Sequence, residues 1–399
     1  MTIQPKLGDE GSRREKIDPL SSCLDEYALD GRIHLNGNSL GAPRHNLVPA
    51  LERLVSGQWA PLQVRGWFHE GWLELPRTIG DKLGALLGAA PGQVVVAGET
   101  TSTTLFNVLV AACRLRSDRP VLLAEQESFP TDLYIAASVA RLLDRDLVAV
   151  PRADLDIRLR DHGDQVAAAL TSPVDFRTGE RRDIGATTAL CHHAGAISVW
   201  DLSHAAGVLP VDLDANDVDL AVGCGYKYLG GGPGAPAFTY VPARHQPDVD
   251  FPLAGWHGHA RPFTMVPGFE PADGIDRART GTPPVLSLAG LDHALDPLLE
   301  AGIEALYRRS RELSDYFLAC LEESRPDLAR QLVSPRDARR RGGHLAVRVP
   351  DAERVEHELA ERGVHVDSRP PDLIRFAFAP LYVTKDHIRQ VVDILTAVA

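Results

Sequence analysis

Lysine is scarce in this chain. Only five of its 42 basic residues are lysine: Lys6, Lys16, Lys82, Lys227 and Lys385. Cysteine and methionine are also few, five and two. The cysteines, at 23, 113, 191, 224 and 320, are scattered, odd in number and form no Cys-x-x-Cys pair. That argues against a disulfide framework and the usual zinc spacings, and it points to reduced thiols in a cytoplasm. His192-His193 and the His257/His259 pair lack a cysteine or carboxylate at ligand spacing, so no metal is expected. No apolar run approaches the roughly 20 residues a membrane helix needs. Met1 to Leu20 is polar, without the apolar stretch of a secretory signal. The net charge of −12 is spread along the chain, which speaks against nucleic acid or an anionic membrane as partner. Repeats and low-complexity segments are missing too, and the basic stretch 336–343 reads as a solvated, glycine-containing loop.

With 399 residues and 44% apolar content, the chain is long enough for two domains. Between about 94 and 228, strand-like runs alternate with helical patterns. Strands are predicted at 94–97, 121–124, 147–150, 196–201 and 220–223, and helices from about 101, about 131 and over 186–193. Such alternation predicts an α/β fold with a mostly parallel sheet, and ligands in such sheets sit at the carboxyl ends of the strands. After residue 284 the pattern changes to two long helices (286–302 and 303–325). A strand (344–349), a helix (351–362), a strand (373–378) and a final helix (384–398) follow, forming a smaller α+β unit. The predicted division is a large domain over 45–284 and a small domain made of 1–44 and 285–399.

Among the five lysines, Lys227 alone sits in an apolar, glycine-rich setting, Leu220-Ala-Val-Gly-Cys-Gly-Tyr-Lys-Tyr-Leu-Gly-Gly-Gly-Pro-Gly234. An amine there is costly unless paired, neutral or used covalently, and a neutral amine attacks an aldehyde. Pyridoxal 5'-phosphate needs such a lysine, an acid for its pyridine nitrogen, donors for its phosphate and a group packed on its ring. Asp201 ends a predicted strand 26 residues before Lys227 and can supply the acid, although a helix N-cap explains it as well. Thr100 to Thr104 opens a helix whose N–H groups and hydroxyls make an anion site, or simply a cap. Phe129-Pro-Thr-Asp132 follows a strand, placing an aromatic ring and a second carboxylate nearby; a turn and a cap is the plainer explanation. Asp-x-x-His followed by lysine at this distance is the arrangement of fold-type I, class V aminotransferase-group enzymes.

Several motifs then carry a closer resemblance. They are Gly37-Asn-Ser-Leu-Gly41, Phe129-Pro-Thr-Asp-Leu-Tyr134, Trp200-Asp-Leu-Ser-His204, Gly223-Cys-Gly-Tyr-Lys-Tyr228, Gly231-Gly-Pro-Gly234, Gly255-Trp-His-Gly-His259, Gly281-Thr282 and Arg375-Phe-Ala-Phe-Ala-Pro-Leu-Tyr382. Together they resemble the kynureninase family from about residue 34 to the end. The resemblance implies a fold-type I pyridoxal-phosphate fold with a seven-stranded sheet. It implies hydrolysis of L-kynurenine, or of 3-hydroxykynurenine, to an anthranilate and L-alanine in tryptophan and kynurenine metabolism. By the same resemblance Lys227 carries the cofactor and Asp201 pairs with its ring nitrogen. Thr101, Ser102, Ser172 and Tyr226 hold the phosphate, with His204 near cofactor and substrate, Phe129 on the ring and Asp132 in support. Tyr226 doubles as a proton relay. Trp256 and Thr282 reach the phosphate from a neighbouring subunit, which implies a homodimer. Arg375 clamps the substrate α-carboxylate, for which a guanidinium fork is suited, and Asn38 and Ser39 lie on the same side. Trp67, His69, His257 and Thr282 line the aryl pocket, with Trp67 and Thr282 resembling bacterial forms that favour unsubstituted kynurenine.

The chain departs from the family at Gly225, where threonine is usual, and at Gly230, where asparagine is common. Asn36, Asp175 and Ser203 are further variants. Three other readings are open. A cysteine desulfurase needs a nucleophilic cysteine on a loop after the lysine, and only Cys320 follows Lys227, within a helical pattern. An aminotransferase would share most of these residues. A regulatory module would carry a DNA-binding domain and a basic patch, and neither is present.

Overall fold

The computed structural model describes residues 20–399; Lys6 and Lys16 lie outside the described residues. A seven-stranded sheet forms the larger layer. Its strands are β2 (Val94–Gly98), β3 (Val121–Glu125), β4 (Asp146–Val150), β5 (Val166–Thr171), β6 (Ile197–Asp201), β7 (Leu220–Cys224) and β8 (Ala237–Tyr240). They stand in the order β2-β8-β7-β6-β5-β3-β4, and only β8 runs against its neighbours. Strands β3, β5, β6 and β7 are buried along their whole length. Helices cover both faces, so these strands read as continuous apolar runs rather than alternating ones.

The helices start where the sequence has caps. Thr100 accepts from the N–H of Thr103 at 3.2 Å and opens Thr101–Leu115. Asp183 accepts from Ala186 and opens Ile184–Ala194, which Gly195 closes in the left-handed conformation; these are the usual start and stop devices. Strand β5, helix Leu155–His162 and strand β8 escaped the sequence reading. The run Val-Ala-Ala-Ala-Leu-Thr of β5 is mostly alanine, which disfavours strands intrinsically. Burial between β3 and β6 makes it a strand nonetheless.

The smaller unit carries an antiparallel sheet in the order β11-β12-β9, from β9 (His344–Arg348), β11 (Asp367–Arg369) and β12 (Leu373–Ala377). Helices Ile303–Ser324 and Lys385–Val398 pack against each other and contribute apolar faces to the same core. The N-terminal strand β1 (Ile33–His34) pairs in parallel with β10 (Val364–His365), so the segment around β1 joins the smaller unit. Helix Val285–Ala301 lies against helix Leu75–Leu87, with Lys82 bonded to Asp292 at 2.6 Å and Asp296 at 3.1 Å. Among the described residues no helix is long and apolar enough to cross a membrane.

The loop 336–343 corrects one expectation. Arg336, Arg339 and Arg340 are exposed, but Arg341 is only 1% exposed and pairs with Asp315. Its guanidinium also donates to the carbonyl of Arg336 at 3.0 Å. Gly342 and Gly343 allow the loop to close on Val174 and Tyr228, where a Cβ would meet side-chain atoms at 2.7 and 2.8 Å. The loop therefore docks instead of being fully solvated.

Candidate active site

Five strands of the large sheet deliver side chains at their carboxyl ends to one cavity of about 460 Å³. Behind β2 come Glu99, Thr100, Thr101 and Ser102; behind β3 come Phe129 and Asp132. Phe176 follows β5, Asp201, Ser203 and His204 end or follow β6, and Cys224, Tyr226 and Lys227 end or follow β7. Ser39 and Arg369 close the cavity from the smaller unit and the N-terminal segment.

Lys227 Nζ points into this space, 3.0 Å from His204 Nε2 and 6.0 Å from the centre of the Phe129 ring. His204 is buried. Desolvation first, and then the positive charge of Lys227, pushes its pKa well down, so the imidazole is neutral. Its Nδ1 is buried without a partner. Asp132 is buried and hydrogen-bonded to Asp201. Burial and then the neighbouring Asp201 charge push its pKa well up. Asp201 Oδ1 accepts from the N–H of Ser203 at 3.0 Å and from its hydroxyl at 2.6 Å. The variant residue Ser203 thus orients the carboxylate. Burial, and then Cys224, raise the Tyr226 pKa.

At the opposite end the first turn of helix Thr101–Leu115 faces the cavity, with Thr101 and Ser102 in its wall. The opening N–H groups of a helix have no intrahelical partner, and the helix dipole favours an anion there. Phe129 is half exposed and meets Phe176 edge to face, ring centres 5.4 Å apart. Both face the space between the carboxyl pair and the helix end.

Ser172 lies elsewhere than expected. It shares a small pocket with Asp132, Asp201 and His204, not with Thr101 and Ser102, and its hydroxyl donates to the Val174 carbonyl at 2.8 Å. Turning the chain after β5 uses that hydroxyl, and the turn puts it beside the carboxyl pair.

Within one chain, Trp67, His69, Trp256 and His257 are not among the residues lining the Lys227 cavity. Trp67 packs edge-on to Trp72. His257 is buried under Trp256, bonded to Arg279 at 3.1 Å, and burial followed by the Arg279 charge lowers its pKa to about 4. Thr282 borders a second cavity of about 340 Å³ that shares Glu99 and Gly234 with the first.

Arg375 is wholly buried. Its Nε donates to Asp367 Oδ1 at 2.7 Å and its Nη2 to Asp367 Oδ2 and, at 2.9 Å, to Ser39. Its Nη1 donates to the Phe176 carbonyl. Asn38, also buried, places its amide oxygen 3.2 Å from Nε and Nη2 in the orientation that satisfies it. Sequence reasoning missed Asp367, Arg369 and His344. The first two lie in the short stretch Val366-Asp-Ser-Arg-Pro370, where only the charged pair at a spacing of two was a signal. His344 is buried between these groups, its ring centre 5.7 Å from that of His204.

The loop around Lys227 is pinned from the N-terminal side. The Gly41 N–H donates to the Tyr226 carbonyl at 2.8 Å, and a Cβ on Gly41 would sit 2.5 Å from the Lys227 carbonyl oxygen. Two departures from the family pattern have physical reasons. A Cβ at Gly225 would stand 2.7 Å from the Pro236 carbonyl oxygen, so threonine does not fit here. Gly230 has φ +72°, a conformation that glycine and asparagine both accept.

The comparisons agree with this geometry. A family model described as the kynureninase C-terminal domain matches residues 306–395. Kynureninase of Burkholderia pseudomallei is 40% identical over 386 residues, 94% of this chain and 92% of that protein. Kynureninase of Deinococcus radiodurans is 41% identical over 387 residues, 96% and 93%. Among solved structures, a cysteine desulfurase from Thermococcus onnurineus superposes with a TM-score of 0.78 at 16% identity, covering 94% of this chain and 97% of that one. A cysteine desulfurase from Escherichia coli does so with 0.77 at 19% identity, covering 95% and 98%. These structures share the fold, that of fold-type I pyridoxal-phosphate enzymes. The desulfurase chemistry needs a loop cysteine, whereas Cys320 here lies inside helix Ile303–Ser324. With sequence identity of this extent over nearly its whole length, the chain belongs to the kynureninase family of enzymes.

Proposed function

We propose that the chain hydrolyses the Cβ–Cγ bond of L-kynurenine with pyridoxal 5'-phosphate, giving anthranilate and L-alanine. The carrying observation is that one cavity gathers an amine, two neighbouring carboxyl groups, a neutral imidazole and a helix N-terminus. These residues fit the cofactor. Lys227 would hold its aldehyde, Asp201 its ring nitrogen, Phe129 a face of its ring, and the helix end its phosphate with Thr101 and Ser102. Tyr226 lies in the same wall. Trp256 and Thr282 complete the phosphate site from a second copy, and Ser172 supports the carboxyl pair. Bound there, the cofactor supplies an electron-withdrawing ring next to the substrate Cα.

The chain's own groups then move protons. Lys227 Nζ is the base that would take the substrate's Cα proton. The neutral His204 places no second positive charge beside that nitrogen. Tyr226, kept protonated by burial, donates to the leaving fragment. Water adds to the γ-carbonyl and the bond to Cβ breaks, so that the acyl part leaves as anthranilate and the rest as alanine.

A homodimer is part of the reading. Phe68, Trp256, Phe263, Met265, Val266 and Phe269 are exposed, and Phe68 and Phe263 already pack together. An exposed apolar group of this kind marks an interface. Trp67 and His257 would meet substrate across it. The test is direct. Purified protein is given pyridoxal phosphate, then L-kynurenine or 3-hydroxykynurenine, and anthranilate fluorescence is followed. A visible absorption band that requires Lys227 and release of anthranilate support the reading. A band with amino exchange to a keto acid and no anthranilate defeats it.

A further inference from the structure

Lys227 is the third residue beyond the end of β7. The strand fixes where the chain leaves the sheet, but not how the lysine is aimed. Its neighbour Tyr228 is absent from the wall of the Lys227 cavity. Tyr228 is only 6% exposed and lies in the apolar core that also holds Trp200 of β6 and Phe376 of β12. Its hydroxyl has no hydrogen-bond partner among the described residues, so shape rather than a polar bond holds the ring.

Glycines from three distant parts of the chain make room for this residue. A Cβ on Gly343 would stand 2.8 Å from Tyr228 Oη and 2.9 Å from its Cζ. A Cβ on Gly37 would stand 3.5 Å from Cδ1, and one on Gly207 3.1 Å from the Tyr228 carbonyl carbon. The segments that carry these glycines are anchored on their own account. The Gly343 carbonyl accepts from the Phe378 N–H at 2.9 Å, and the Gly342 N–H donates to the Gly179 carbonyl at 2.8 Å. On the other side of the lysine, the Gly230 N–H donates to the Lys227 carbonyl at 2.8 Å. A close-packed interior passes a displacement on instead of absorbing it. Pressure on the Tyr228 ring therefore reaches the main chain of Lys227.

We propose that Tyr228 is a positioning residue for Lys227. Its ring, set between Gly37 and Gly343, carries the seating of loop 336–343 and of the N-terminal segment to the aim of the lysine. The proposal rests on the reading of Lys227 as the residue that takes the cofactor. That amine now stands 3.0 Å from His204 Nε2. A reacting group misplaced by about 1 Å loses on the order of 100-fold in rate, so a shift of part of an ångström is enough to be measured.

The experiment compares wild type, Gly343→Ala, Tyr228→Phe and the double variant, all as full-length chain. The first readout is acetylation of Lys227 by acetic anhydride in the apoprotein, read by mass spectrometry against Lys82 in the same sample. The second is the rate of pyridoxal phosphate uptake, followed by visible absorbance, with melting temperature measured alongside. Gly343→Ala is expected to slow both reactions of Lys227 by about 10-fold. Tyr228→Phe removes the atom nearest the added methyl group, so the double variant is expected to recover part of that loss. A purely structural role moves the melting temperature and leaves both rates alone. Wild-type rates in folded Gly343→Ala overturn the proposal, and so does an equal slowing in the two backgrounds. Should Gly343→Ala fail to fold, Tyr228→Leu replaces it: slowed acetylation and uptake support the proposal, and wild-type rates overturn it. Failure of the wild type to take up pyridoxal phosphate would instead defeat the functional reading, and the acetylation comparison would still decide the role of Tyr228.

Discussion

The two ends of the cavity are built by different means. The end that holds Lys227, Asp201 and Asp132 comes from residues at or just beyond the carboxyl ends of neighbouring strands. Asp201 stands in register with Val222, and Lys227 follows three residues after β7 ends. The end that holds Arg369 and Arg375 comes from three distant segments. Ser39 meets Arg375 across 336 residues of chain, and Phe176 meets it across 199. A site at the end of a sheet is fixed as soon as the sheet forms. A site between units is fixed only when the N-terminal segment, the large sheet and the small sheet have docked. On the proposed reading, the groups that move protons would sit on the rigid end, and substrate recognition on the end that depends on docking.

This contrast can be broken at either side. Lys227→Ala should remove activity by at least about 10³-fold from the lost proton transfer alone, while thermal melting of the apoprotein stays near that of the wild type. A large fall in melting temperature would show that the rigid end is not independent of its chemistry. Asp367→Asn should act the opposite way. It leaves Arg375 buried with its main partner gone, an effect of roughly 3–5 kcal/mol, seen as a lower melting temperature and a raised KM. Unchanged stability in that variant would mean that the docked end is held by packing and not by this ion pair.

Gly225→Thr probes the join between the two ends at smaller scale. The added side chain meets the Pro236 carbonyl and Leu291, and overpacking of this kind costs about 1–3 kcal/mol. Chemical denaturation would measure it, and a neutral result would show that the loop before Lys227 can yield.

The smallest effect is in pH. Burial, and then the Arg375 charge, lower the His344 pKa to about 3, and His257 is lowered to about 4. A histidine whose folded pKa lies below its unfolded value of about 6.5 binds its proton more readily when unfolded. Its contribution is complete above pH of about 6.5 and is lost as the pH falls toward the folded value. Melting temperature should therefore fall between about pH 6.5 and pH 4, and His344→Gln should flatten that slope. An unchanged slope would remove His344 from the account.

Much of the fold was legible because each strand and helix announces itself locally. The runs at β3, β6 and β7 are apolar and bounded by turn residues, and Thr100 opens a helix in the sequence as in the structure. Strand β5 was not legible, since three alanines in a row carry little strand preference and only burial between β3 and β6 decides their conformation. The site followed the same division. Lys227, Asp201, Asp132 and the Thr101 turn could be placed from strand ends and spacing. Ser172 could not, because the turn after β5 gives its hydroxyl to the Val174 carbonyl.

The sequence by itself determined that Lys227, Asp201 and the Thr101 turn meet in one cavity, since each ends or follows a strand whose carboxyl end opens on a shared crevice. It determined too that Arg375, lying in an apolar run, would be buried with a partner. Only the tertiary structure decided which partner that is and what it leaves free. Asp367 lies eight residues away on the neighbouring strand, and Ser39 and Phe176 arrive from elsewhere in the chain. An ion pair depends on which side chains face each other across a sheet register, and local pattern carries no record of that.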